Sequence, residues 1–76
     1  MVKIRGYWFG FYAAEPSNEP PHIHVEGQGG FAKIWLGPVR LEMSRYSKAR
    51  TREILRIADE QEVEFTERWR TQFGDR

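Results

Sequence analysis

The sequence predicts a small α+β domain, in which an antiparallel meander of three to four strands is packed by a long C-terminal helix. Two observations predict this fold. Up to about residue 43, short aromatic and β-branched segments alternate with glycine and proline. From Lys48 there is neither glycine nor proline until Gly74, and apolar residues recur at helical spacing. The 76 residues suffice for one domain, which we expect to span 1–76.

The first strand is predicted over residues 3–13, a segment rich in aromatic residues. Alternation assigns Ile4, Trp8 and Tyr12 to one face and Tyr7, Phe9 and Phe11 to the other. Because both faces are apolar, we expect the strand to be central in the sheet or covered on both sides, with Trp8 in the core. Three prolines at residues 15–21 then predict a loop.

Three further strands are predicted over residues 22–26, 31–36 and 39–43. The two-residue period of a strand assigns their side chains to an inward and an outward set. The inward set is Ile23, Val25, Ala32, Ile34, Leu36, Val39, Leu41 and Met43, and the outward set is His22, His24, Glu26, Lys33, Trp35, Arg40 and Glu42. The GQGG segment and Gly37-Pro38 predict the turns that connect these strands.

The helix is predicted over residues 48–73, with Ser47 as its N-cap and Gly74 at its end. Its apolar stripe contains Ile54, Ala58, Phe65, Trp69 and Phe73, broadened by Leu55 and Ile57. Glu62 interrupts the stripe, so one continuous helix and two helices broken near 59–62 both remain open.

His22 and His24 are the two histidines of the chain, and their spacing points both side chains to one face of a strand. Paired imidazoles act as general acid and base near neutral pH, which is the chemistry of a metal-independent ribonuclease. Ordinary outward-facing polar residues are the simpler interpretation. A metal would need a third strong ligand, and we expect no metal and no other cofactor.

Cations and an aromatic residue accompany the histidines. Lys33, Trp35 and Arg40 are predicted on the same face, and Arg45 and Lys48 begin a basic cluster. This combination is typical of contacts with phosphates and bases, so these five residues are candidates for nucleic-acid binding. The simpler interpretation of the basic cluster is a solvated helix with pairs such as Glu53 and Arg56.

Composition excludes several classes of protein. Twelve basic and eleven acidic residues nearly cancel, so net charge indicates no particular partner. The chain has no cysteine, which excludes a disulfide scaffold and a zinc finger, and fits the cytoplasmic location that we expect. No apolar run approaches the roughly 20 residues of a membrane span. So small a core favours a partner protein or a homodimer.

The segment EPPHIHV, together with GYWFGFYAAE, AKIWLGPVRL and Arg52-Glu-Ile with Trp69 and Phe73, resembles the family of small bacterial and phage proteins called domain of unknown function 4160. The resemblance covers most of the chain and implies no settled activity. Members of this family look like halves of two-gene modules, which implies a toxin–antitoxin-like role with a second small protein.

The leading hypothesis is therefore a toxin–antitoxin-like or mobile-element module that acts on RNA through the sheet face carrying His22 and His24. The alternative is a non-catalytic adaptor or inhibitor that occludes a partner protein. Nucleic-acid binding weakens steeply with salt, whereas a mostly apolar interface does not, which separates the two.

Overall fold

The computed structural model describes residues 1–12 and 18–74. In these ranges the chain forms five strands and two helices: Val2–Ile4 (β1), Tyr7–Gly10 (β2), His22–Gly27 (β3), Gly30–Trp35 (β4), Arg40–Ser44 (β5), Lys48–Glu60 (α1) and Glu62–Phe73 (α2). The strands form one antiparallel sheet in the order β1-β2-β3-β4-β5. The α+β class, the meander and the C-terminal helices are confirmed. Residues 13–17, which hold the end of the predicted first strand and part of the predicted loop, lie outside the described ranges.

The sheet has five strands rather than three to four because the first aromatic segment is a hairpin. Arg5 (φ 53°) and Gly6 (φ 90°) both have left-handed backbone conformation, which is typical of a two-residue hairpin turn. Ile4 pairs with Tyr7 across the turn and so lies on the same face as Tyr7. The predicted grouping of Ile4 with Trp8 is therefore wrong.

The β3–β4 hairpin is held by Tyr46. Gln28 (φ 50°) and Gly29 (φ 78°) form its two-residue turn. The Tyr46 hydroxyl donates toward the carbonyl oxygens of Gly27 and Gly30, each 2.9 Å away. A Cβ on Gly30 would stand 2.6 Å from the Tyr46 ring, so the ring fits only against glycine. The GQGG segment is thus a fixed turn.

A bulge in β5 reverses the face of the sheet to which the side chains after it point. Ile34 pairs with Leu41, but Lys33 pairs with Met43, so Glu42 is the extra residue. Beyond the bulge Ser44 lies on the helix side, where its hydroxyl is 2.8 Å from that of Thr51. Met43 therefore lies on the side away from the helices, and its predicted inward position is wrong.

The helical region is broken at Gln61, which joins α1 to α2. This decides the question of one helix or two. Ile54, Ile57, Ala58, Phe65 and Trp69 are the buried residues of the two helices. Glu62, the polar residue in the predicted stripe, accepts a hydrogen bond from the backbone N–H of Gly37, 2.9 Å away.

The helices cover one face of the sheet. The buried core on that face joins Tyr7, Phe9, Ile23, Val25, Ala32, Ile34 and Leu36 to the helical residues. Phe9 stacks on Phe65 with ring centroids 5.5 Å apart. In the described part of the chain, neither helix is long and apolar enough to cross a membrane.

Candidate functional site

The candidate site is the outer face of the sheet, the side turned away from α1 and α2. Antiparallel partners share a face, so the pairing defines its residues in rows. One row is Lys3, Trp8, Glu26 and Phe31; the next is His24, Lys33 and Met43; the third is His22, Trp35 and Arg40. The Arg45 N–H donates to the carbonyl of Phe31, which extends the pairing and sets Arg45 beside the first row.

Aromatic rings occupy the centre of the outer face. Trp8, Tyr12 and Phe31 are 43%, 50% and 49% exposed. These fractions are large for aromatic side chains, which usually bury most of their surface. The prediction that Trp8 belongs to the core is wrong, because the helices cover only the opposite face of β2. Trp35, which alternation assigns to the outward set, lies on this face but is partly buried.

Two lysine side chains lie over the tryptophan rings. Lys3 Nζ is 5.5 Å from the ring centroid of Trp8, and Lys33 Nζ is 4.8 Å from that of Trp35. Both distances are within the range of cation–π attraction. Positive charge is therefore held directly beside flat apolar surface.

The two histidines lie together, but only one of them is accessible. Their ring centroids are 5.1 Å apart, at a T-shaped angle. His22 has no exposed surface. Its ring lies 5.0 Å from Trp69 of α2 and 5.6 Å from Trp35. The expectation that both rings face solvent is wrong for His22, because α2 reaches this end of the sheet.

The hydrogen bond made by His22 also indicates a structural role for this side chain. Its Nδ1 is 2.9 Å from the carbonyl oxygen of Pro20. A carbonyl only accepts, so Nδ1 carries the proton and donates it. This bond ties the start of β3 to the preceding proline pair, and the buried ring offers no surface to a substrate.

His24 is partly exposed and belongs to the outer face. Its ring stacks on Tyr12, with centroids 4.0 Å apart and planes 21° apart. The Tyr12 hydroxyl donates to Glu26 Oε2, 2.9 Å away. Tyr12, which follows β2, thus contacts both His24 and Glu26 of β3.

Each carboxylate of the outer face has a donor. Lys33 Nζ donates to Glu19 Oε1 at 2.6 Å, and Trp35 Nε1 donates to Glu42 Oε1 at 3.3 Å. Within residues 1–12 and 18–74, no three His, Asp or Glu side chains are arranged to hold a metal ion.

The cations at the two edges of the outer face differ from Lys33 in their ion pairing. Lys3 lies on edge strand β1, while Arg40 and Arg45 lie on and just after edge strand β5. All three are exposed, and none has an ion-pair partner in the part of the chain that the structure describes. The outer face is therefore an aromatic centre between two cationic edges.

Four of the five residues predicted for nucleic-acid binding, namely Lys33, Trp35, Arg40 and Arg45, come together on the outer face. Lys48 does not, because it opens α1 on the other side of β5. Sequence reasoning missed Trp8, Tyr12 and Phe31. For Phe31 a signal existed, since its parity matches that of Lys33 and Trp35.

Comparison with known families adds one finding. The model of the family Domain of unknown function (DUF4160) matches residues 6–70. The chain belongs to this family. The match confirms the resemblance first seen at EPPHIHV, and it includes every outer-face residue of this DUF4160 chain except Lys3. No curated protein and no solved structure matches the chain.

Proposed function

We propose that the protein binds single-stranded RNA across its outer face, as one component of a toxin–antitoxin-like or mobile-element module. The observation that carries the proposal is the set of three half-exposed aromatic rings between cations that have no ion-pair partner among the described residues. Bases stack on Trp8, Tyr12 and Phe31, and phosphates contact Lys3, Arg40 and Arg45. Stacking on aromatic side chains contributes about 1–3 kcal/mol per base and tolerates any base.

The proposed activity is binding rather than cleavage by paired imidazoles. Acid–base catalysis needs two groups within reach of the scissile phosphate. His22 has no exposed surface, and His24 is stacked on Tyr12. In this proposal His22 and His24 support the RNA-binding face and transfer no proton to or from the RNA.

The test uses a fluorescently labelled uridine oligonucleotide of about 12 nucleotides, within the span of roughly 4–16 that small binding domains cover. We expect the double variant Trp8→Ala, Phe31→Ala to bind it at least tenfold more weakly, since two stacking surfaces are lost. Both residues are half-exposed, so the variant should fold, which circular dichroism checks.

The control is Val63→Ala, which trims an exposed apolar residue (78% exposed) on α2. It should bind like the wild type. Equal affinity of the double variant and the wild type would contradict the proposal.

A second candidate is the adaptor or inhibitor that occludes a partner protein. It is favoured by Glu19, Glu26 and Glu42, which make the outer face nearly neutral. Aromatic residues and arginine are enriched at protein interfaces, where charge is depleted at the core. The salt dependence of binding distinguishes the RNA-binding candidate from the protein-binding candidate. RNA affinity should fall steeply between about 0.05 and 0.2 M salt, while capture of a protein partner should change little.

A further inference from the structure

The exposed face of α1 carries a stripe of cations that the outer face does not include. Lys48, Arg52 and Arg56 follow one another at intervals of four residues, so they lie along one side of the helix. At 1.5 Å per residue the stripe runs for about 12 Å. All three side chains are exposed.

Ion pairs of the described residues do not neutralise the stripe. Its three residues have no ion-pair partner in the described ranges. The expected partner Glu53 instead accepts a hydrogen bond from the Tyr7 hydroxyl, 2.9 Å away. The contrast with α2 is direct, since Arg68 pairs with Glu64 and Arg70 with Glu67 on that helix.

The stripe lowers the stability of the free protein. Like charges four residues apart on a helix repel, and the stripe contains two such pairs. Cations also oppose the helix dipole in the first turn, where Lys48 lies and no acidic residue is present. No ion pair of the described residues offsets these repulsions, so an anion outside the chain would relieve them.

The stripe continues the cationic edge of the outer face around β5. A cleft of about 360 Å³ lies between them, lined by Leu41, Ser44, Tyr46, Lys48, Thr51 and Arg52. The Ser44 and Thr51 hydroxyls, 2.8 Å apart, bridge β5 and α1 at this cleft. Arg40 and Arg45 thus lie on one side of the β5 edge, and Lys48 and Arg52 on the other.

We propose that a nucleic-acid strand bound on the outer face turns over the β5 edge and runs along the α1 stripe, where Lys48, Arg52 and Arg56 bind its phosphates. This inference rests on the proposed function and extends it, because it assigns a second, sequence-independent segment of the binding path. Phosphate is favoured over protein carboxylates because the stripe is contiguous with an aromatic face, which offers stacking surface to bases.

The experiment compares two uridine oligonucleotides, of about 4 and about 12 nucleotides. The short one fits the outer face alone, and the long one also reaches the stripe. Replacing all three stripe residues by glutamine should weaken the long oligonucleotide about 100-fold at 0.1 M salt, about fivefold for each phosphate contact, and lower its salt slope by about 2. Binding of the short oligonucleotide should not change. Arg68→Gln, on α2, is the matched control and should leave both affinities unchanged.

The single variant Arg52→Glu separates a binding role from a structural one. It replaces two repulsions by two attractions within α1, so the thermal midpoint should rise by roughly 4 °C while affinity for the long oligonucleotide falls. A lower midpoint together with weaker binding would overturn the inference.

The remaining outcomes distinguish failure of the stripe from failure of the outer face. Equal wild-type affinity for the short and long oligonucleotides would overturn the stripe and leave the outer face intact. Polyglutamate competing as well as the long oligonucleotide would also overturn it, because the stripe would then be a general anion surface. Failure of both oligonucleotides to bind would instead contradict the proposed function itself.

Discussion

At the scale of single residues, the two histidines differ in what surrounds them, and this difference is measurable. His22 packs among Trp69, Trp35 and His24, with no exposed surface. His22→Ala removes a buried ring and leaves the carbonyl of Pro20 without its donor. We expect a loss of about 2–4 kcal/mol in the free energy of unfolding, measured by urea denaturation.

His24→Ala is the matched control for that measurement. It removes a ring that is partly exposed and stacked on Tyr12, so it should cost only about 1 kcal/mol. Equal losses in the two variants would contradict the structural role of His22. A large loss confined to His22 would show that its buried ring contributes to the stability of the fold.

The sequence could predict that the two rings are neighbours, but not that one is buried. Period two fixes the side to which a strand residue points, and the rings do lie 5.1 Å apart. Burial depends on what arrives from elsewhere. Trp69 comes from the far end of the chain, and no local pattern around His22 encodes that contact. The same reasoning explains Trp8, whose apolar neighbours predicted a covering layer that the described residues do not form on its side of the sheet.

At the scale of elements, the start of α1 is fixed by a cap that the sequence did predict. Ser47 Oγ accepts from the backbone N–H of Arg50, 3.2 Å away. We expect Ser47→Ala to cost about 1 kcal/mol in urea denaturation. Ser47→Asp should retain the full stability, since aspartate also caps and its charge complements the basic first turn. An alanine variant as stable as the wild type would show that the cap contributes nothing.

Turn chemistry limited how far the elements could be predicted. Both hairpin turns place a long side chain, Arg5 or Gln28, at positive φ before a glycine. Asparagine and aspartate are the usual residues there, so Arg5-Gly6 carries no strong turn signal and the sequence predicts a single strand over residues 3–13. The bulge at Glu42 was equally hidden, because strict alternation fits residues 39–43 without it.

At the scale of the whole molecule, one tyrosine connects the sheet to α1, and a second connects the segment before α1 to the β3–β4 turn. The Tyr7 hydroxyl donates to Glu53 of α1, and that of Tyr46 donates to the β3–β4 turn. Burial raises the pKa of Tyr7 above its ordinary 10.0, and the Glu53 carboxylate raises it further. Burial also raises the pKa of Tyr46. The folded chain therefore keeps both phenolic protons at a pH where the unfolded chain loses them.

This difference predicts that the free energy of unfolding falls at alkaline pH. Where the folded state holds more protons than the unfolded state, the free energy of unfolding falls as pH rises. The stability from both groups is fully present below about pH 10, the pKa of a tyrosine in the unfolded chain, and is lost as pH rises through the higher folded-state pKa. Urea midpoints from about pH 8 to about pH 12, read beside tyrosinate absorbance, measure the fall.

Tyr7→Phe is the control for the loss of stability at alkaline pH. Without the Tyr7 phenol one of the two raised groups is absent, so the fall above pH 10 should be shallower than in the wild type. The variant should also be somewhat less stable at neutral pH, because it loses the hydrogen bond that joins β2 to α1. A fall as steep as that of the wild type would mean that Tyr7 ionises equally easily in both states. The hydroxyl would then be open to water, and the connection between sheet and helix would depend on apolar packing alone.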